Sequence, residues 1–144
     1  MNRIFLLSLL ISSTFSFVSC KKNEVNTNKG YTTIEITVEN EKGEKMEGLY
    51  VKMYDEVTYA QFKENHLTRP LAESATNKNG KATFTIENSK WFNGKKSVEL
   101  MFAVVKHIDD NNYSYYSNGG TVVPNSKPQF TINTSIYHPR QFLH

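Results

Sequence analysis

From Tyr31 onward apolar and polar residues alternate with period two, the spacing of strands with one buried face. In YTTIEITVE, Ile34, Ile36 and Val38 fall on one side and Thr33, Glu35 and Thr37 on the other. LYVKMY repeats the pattern, with Leu49, Val51 and Met53 against Tyr50, Lys52 and Tyr54. KATFTIE sets Ala82, Phe84 and Ile86 against Thr83, Thr85 and Glu87. The segment SVELMFAVVKHI differs. Val98, Leu100, Phe102 and Val104 share one side, but Met101, Ala103 and Val105 make the other side apolar too. That predicts a central strand, or one covered on both faces. YSYYS and QFTINTSIY complete the set, the latter with Phe130, Ile132 and Thr134 in register.

Turn chemistry divides these runs. Gly43 serves NEKGEK, and Asn79-Gly80 predicts a hairpin within LAESATNKNGKATFTIE. Turns are also expected at Asp109 to Asn112 and at the NGG of residues 118–120. Thr58 to Gln61 has the form of a capping box, so a short helix is expected from Tyr59 to about Asn65, with Tyr59 and Phe62 on its inner face and Pro70 ending the segment. The expected fold is all-β: a single antiparallel β-sandwich of seven to eight strands with one short helix.

Before Tyr31 the pattern is of another kind. Residues 1–19, MNRIFLLSLLISSTFSFVS, have one cation at Arg3, an apolar run from Ile4 to Ile11 broken only by Ser8, and small residues up to Ser19. This is the layout of an export signal. Ser12, Ser13, Thr14 and Ser16 interrupt it before it reaches the roughly 20 apolar residues of a membrane-spanning helix, the alternative reading. Residues 20–30 read as a cysteine followed by a polar, flexible tether, with an end-to-end distance of about 15–20 Å. The sandwich domain is expected over 31–138, and a tail over 139–144.

Composition adds three constraints. Eight Tyr, nine Phe and one Trp favour strands. Cys20 is the only cysteine, so no disulfide within the chain supports the core. Without residues 1–19 the formal excess is two cations, too little to argue for nucleic acid.

Phe17-Val18-Ser19-Cys20 resembles a lipobox, the processing site of bacterial lipoproteins, with Phe17 where Leu is commoner. The resemblance implies that Cys20 is diacylated on sulfur, becomes the N-terminus after cleavage and is acylated on its amine. A single acyl chain anchors only marginally, so two or three are what hold a protein to a bilayer. The alternative is a spare thiol at the end of an ordinary signal. Lys21 at the position after the cysteine implies the outer membrane. The lack of an acidic cluster beyond it favours the periplasmic leaflet over the cell surface. Lys21 and Lys22 either rest on anionic lipid or keep the tether soluble.

A second resemblance covers about residues 34–86. ITVENEKGEKMEGLYVKMYD followed by ATNKNGKATFTI looks like the prealbumin-like, carboxypeptidase-regulatory-type β-sandwich family. Gly43, Gly48, Asn77 and Gly80 hold the matching places, with Asn77 where Asp is usual. This implies a fold and almost nothing about activity.

No catalytic constellation emerges. His66, His107, His138 and His144 share no metal-ligand spacing, and no metal or cofactor is expected. Asp109 to Asn112 has oxygen donors but reads as a turn. The C-terminal SIYHPRQFLH holds Tyr137, His138 and Arg140 but not the tetrapeptide of transthyretin-like hydrolases. The first strand has no Lys between Thr32 and Glu39 for an isopeptide bond of the adhesin type. The segment KWFNGKK sets Trp91 and Phe92 among lysines, either as a recognition loop or as a lid on the sandwich. Tyr113, Tyr115 and Tyr116 pose the same choice, with two expected to face inward. Trp91, Phe92 and Tyr115 are therefore the candidate binding residues, and Cys20 the lipidation site. The expected role is a non-enzymatic binding or accessory module, held to the membrane by its lipid and meeting another envelope protein or a glycan. A transthyretin-like hydrolase and a structural fibre or adhesin component are the alternatives.

Overall fold

The computed structural model describes residues 29–107, 113–134 and 138–139. The export signal, Cys20, most of the tether, the turn at 109–112, Tyr137 and Arg140 lie outside the described residues. The chain forms β1 (Tyr31–Glu39), β2 (Tyr50–Asp55), α1 (Glu56–Glu64), β3 (Ala72–Ala75), β4 (Lys81–Glu87), α2 (Asn88–Phe92), β5 (Val98–His107), β6 (Tyr113–Val122), β7 (Gln129–Asn133) and β8 (His138–Pro139). They make a two-sheet β-sandwich. One sheet has the order β4-β1-β7 and the other β3-β2-β5-β6-β8.

The alternating residues fill the space between the sheets. Ile34, Ile36 and Val38 of β1, Phe84 and Ile86 of β4, and Ile132 of β7 meet Val51 and Met53 of β2 and Leu100 and Phe102 of β5. Phe102 joins the two layers, its ring 5.3 Å from Phe84 and 5.7 Å from Phe130. Each such buried side chain contributes about 1.5–3 kcal/mol relative to exposure. β5 is central in its sheet, and its second apolar face is covered as well. Ala103 and Val105 lie with Tyr54, Tyr113 and Tyr115 beneath α1, whose Phe62 is buried among them. The Phe62 ring stacks on Tyr54 at 4.7 Å and meets the edge of Tyr115 at 5.0 Å. Tyr54 therefore parts company with its strand neighbours Tyr50 and Lys52, because only its stretch of that face has a helix above it.

The all-β sandwich is as expected, and five details of it need correction. The sandwich is not wholly antiparallel: β7 runs parallel to β1, pairing Glu35 with Gln129 through Glu39 with Asn133. The segment at 123–128 carries the chain from one sheet to the other, so β7 enters alongside β1 in the same direction. There are two helices, since residues 88–92 also coil. α1 starts at Glu56, one turn earlier than Thr58 suggested. Asp55 is the N-cap: its Oδ1 accepts from Thr58 N at 2.8 Å, and Asp55 N donates to Thr58 Oγ1 at 3.0 Å. The chain around Asn79-Gly80 turns tightly but makes no hairpin, because β3 pairs with β2 and β4 with β1. Asn77 closes that turn, its Oδ1 accepting from Asn79 N and Lys81 N. Gly80 has φ +68, and a Cβ there would lie 2.7 Å from the Val38 carbonyl oxygen. Finally, Asn118 to Gly120 is not a turn but part of β6, where a Cβ on Gly119 would lie 2.1 Å from the Leu100 carbonyl oxygen of β5.

The strands give the domain two ends. At one, Tyr31 opens β1, Glu87 closes β4, α2 follows, Asp55 leads into α1 and Val98 opens β5. At the other lie the Gly43 and Asn79-Gly80 turns and the ends of β5 and β7. The nine residues of β1 span about 30 Å between them.

Candidate functional site

The first end is built around a buried polar network. Thr32 and Asn88 sit at inward-facing parity, continuing the runs Ile34-Ile36-Val38 and Ala82-Phe84-Ile86, yet both are polar and fully buried. They satisfy each other and the chain around them. Thr32 Oγ1 donates to Asn88 Oδ1 at 2.7 Å, and Asn125 N donates to Thr32 Oγ1 at 2.9 Å. Asn88 Nδ2 donates to Asn125 Oδ1 at 2.7 Å and to the Lys29 carbonyl at 3.1 Å, while Asn88 N donates to the Gly30 carbonyl at 3.0 Å. Lys29 and Gly30, which lead into β1, are thus pinned at this end. The sequence reading missed Asn88 and Thr32. Their signal was a polar residue at core parity, which demands partners.

Asn88 also opens α2. This short helix ends through Asn93 and Gly94, both at positive φ, and Lys95 N donates to the Phe92 carbonyl at 2.8 Å. The coil sends successive side chains in different directions. Phe92 is fully buried in the inter-sheet core, so it closes the sandwich and offers no surface to a ligand. Trp91 is half-buried and lines a cleft of about 400 Å³. The rest of the cleft comes from Asp55, Glu56 and Val57 at the start of α1, and from Lys95, Ser97, Val98, Glu99 and Leu100 leading into β5. Val57 is 65% exposed, a large apolar side chain left at the rim. Glu99 accepts a hydrogen bond from Thr121 Oγ1. Among the described residues, neither Lys95 nor Glu56 nor Glu99 takes part in an ion pair. An aromatic wall, apolar patches and uncompensated charges of both signs suit a small ligand with an apolar face and charged groups.

The third candidate, Tyr115, is buried beneath α1 against Phe62. Its phenol is pushed up to about 12 by burial, with Tyr59 and Tyr113 adding to the effect. Tyr54 is also raised, mainly by burial and secondarily by Glu73. Tyr113 shares the α1 side with Tyr115, while half-buried Tyr116 packs against the inter-sheet core.

The fold does bring two histidines together. The rings of His66 and His107 lie 5.5 Å apart, edge to face, and His66 packs on Tyr113 at 3.8 Å. Among the described residues no group of three or more His, Cys, Asp or Glu could hold a metal ion. No helix among them is long and apolar enough to cross a membrane.

No protein-family model matches the chain, and no curated protein does. Among solved structures, 3-chlorocatechol 1,2-dioxygenase from Rhodococcus opacus is similar at 9% identity and a TM-score of 0.37. The match takes in 76% of this chain and 60% of that one. So loose a likeness, spanning about 60% of the other protein's length, carries no argument about activity.

Proposed function

We propose that this chain is a lipid-anchored protein of the bacterial cell envelope whose β-sandwich is a non-enzymatic binding or accessory module. In this reading Cys20 carries the acyl chains in the outer membrane, facing the periplasm, and residues 21–28 space the domain from the bilayer. The sandwich is of the prealbumin-like type suggested by the Gly43-to-Gly80 motif. The observation that supports it best is the pinned junction. Lys29 and Gly30 are fixed by Asn88 nine residues after the candidate acylated cysteine, so anchor and folded domain lie within one short tether of each other. Contact residues shift accordingly. Phe92 and Tyr115 are interior, and Trp91 with its cleft is the surface through which the module binds.

The test is Cys20→Ala in the expressing cell, with a clickable fatty acid as label. The variant is expected to lose the label and move from the membrane to the soluble envelope fraction. Retention in the membrane without label would end the lipoprotein reading.

A further inference from the structure

We infer that the Trp91 cleft binds the headgroup of a zwitterionic phospholipid of the phosphatidylethanolamine kind. This rests on the anchored reading above and names the ligand of that module.

Two independent observations converge on it. The first is position. Trp91 lies three residues after Asn88, the side chain that holds Lys29 and Gly30. The cleft is therefore at the end of the sandwich where Lys29 enters, and in the anchored reading nine flexible residues would give a root-mean-square separation of about 15–20 Å from the acyl chains, with a full reach of about 30 Å. The opposite end is one strand length farther away. The ligand nearest to the cleft is the bilayer surface itself.

The second is charge. Of the five polar residues lining the cleft, Ser97 alone is neutral; Asp55, Glu56, Lys95 and Glu99 are charged. Asp55 is committed to capping α1, but Glu56, Glu99 and Lys95 form no ion pair among the described residues. A neutral sugar could hydrogen-bond to these groups but would bring no counter-charge to Glu56, Glu99 or Lys95. A purely anionic ligand would meet the carboxylates. A zwitterion satisfies both signs. Its ammonium is drawn to Glu99, Glu56 and the face of Trp91, and its phosphate to Lys95. Exposed Val57 at the rim is then directed toward the apolar region just below the headgroups.

Trp91 is the only tryptophan in the sequence, so its fluorescence reports the cleft directly. The full-length acylated protein in detergent micelles is titrated with water-soluble glycerophosphoethanolamine. Parallel titrations use glycerophosphoglycerol, inorganic phosphate, ethanolamine and a neutral oligosaccharide. The expected result is a saturable change in Trp91 emission with glycerophosphoethanolamine, at least about tenfold tighter than with any of the others. Lys95→Gln and Glu99→Gln, both at exposed positions, should each weaken it about fivefold or more, and Lys42→Gln at the far end should leave it unchanged. Equal response to phosphate alone, response to the oligosaccharide instead, or no response at all would overturn the assignment. The intact mass of the same preparation reports acylation of Cys20. Headgroup binding by an unacylated protein would sink the anchored reading while leaving the cleft's specificity standing.

Discussion

The outer face of the three-stranded sheet presents Thr33, Thr83, Thr85 and Thr131 to water, whereas the outer face of the five-stranded sheet presents Tyr54, Ala103, Tyr113 and Tyr115 to α1. Both sheets bury an aliphatic and Phe-rich inner face, so the inner faces do not distinguish them. What differs is the second parity of each strand. Where it is Thr, Glu and Lys the sheet stays one-sided. Where it is aromatic or small, the chain between β2 and β3 is long enough to lay a helix across it. The molecule has two apolar layers of unequal standing. The inner one is closed by strands of both sheets, and the outer one depends on a single nine-residue helix whose buried anchor is Phe62.

That ranking can be broken by measurement. Phe102→Ala should be the most damaging change, at about 3–5 kcal/mol, because the ring bridges the sheets with Phe84 and Phe130 on either side. Phe62→Ala removes the same chemistry from the outer layer and should fall near the low end of that range, about 3 kcal/mol, since α1 can shift inward. Urea midpoints compare the two, and amide exchange should rise first over 56–64 in the second variant. A Phe62 variant as damaged as the Phe102 one would show that the layers are a single cooperative unit.

A smaller effect comes from pH. Burial raises the pKa of both Tyr54 and Tyr115 above the ordinary 10, so the fold favours their neutral forms. The stability this provides is complete below pH 10. It is lost as the pH climbs toward about 12, because the unfolded chain ionises first. The melting temperature should fall over that window, and Tyr115→Phe should flatten the fall. The Tyr54 hydroxyl has no hydrogen-bond partner among the described residues, so Tyr54→Phe should cost nothing at neutral pH and add to the flattening. An unchanged alkaline profile in the double variant would mean that the outer layer is not where the tyrosines report. Smallest of all, Thr85→Val on the bare outer face should stay within about 0.5 kcal/mol of the parent. A larger loss would imply that this face is also covered.

Much of this division was legible in the sequence. The one-sided alternation of β1 and β4, and the two-sided apolarity of β5, foretold a half-bare sheet and a doubly covered central strand. What misled was local chemistry with a long-range outcome. Asn79-Gly80 is a tight turn, as its residues imply, but packing decides which sheet each flanking strand joins. Asn118-Gly119-Gly120 looks like a turn because glycine usually marks one. Here Gly119 is required by the close approach of the Leu100 carbonyl, a contact no local window contains. The cleft was half visible. Trp91 stood out among lysines, but Val57 and Glu99 join it only after α1 and β5 have folded to the same end.

The Asn88 clamp has a mechanical consequence. Beyond it the chain runs straight into β1, the middle strand of its sheet, held by β4 on one side and by β7 on the other. If the chain is anchored as proposed, tension from the N-terminal side, opposed at the far end, would load β1 along its length. The ladder bonds on both sides would then share the force in shear, instead of opening one after another as an edge strand does when it is peeled. Lys29 and Gly30 lead into the strand best placed to bear a pull.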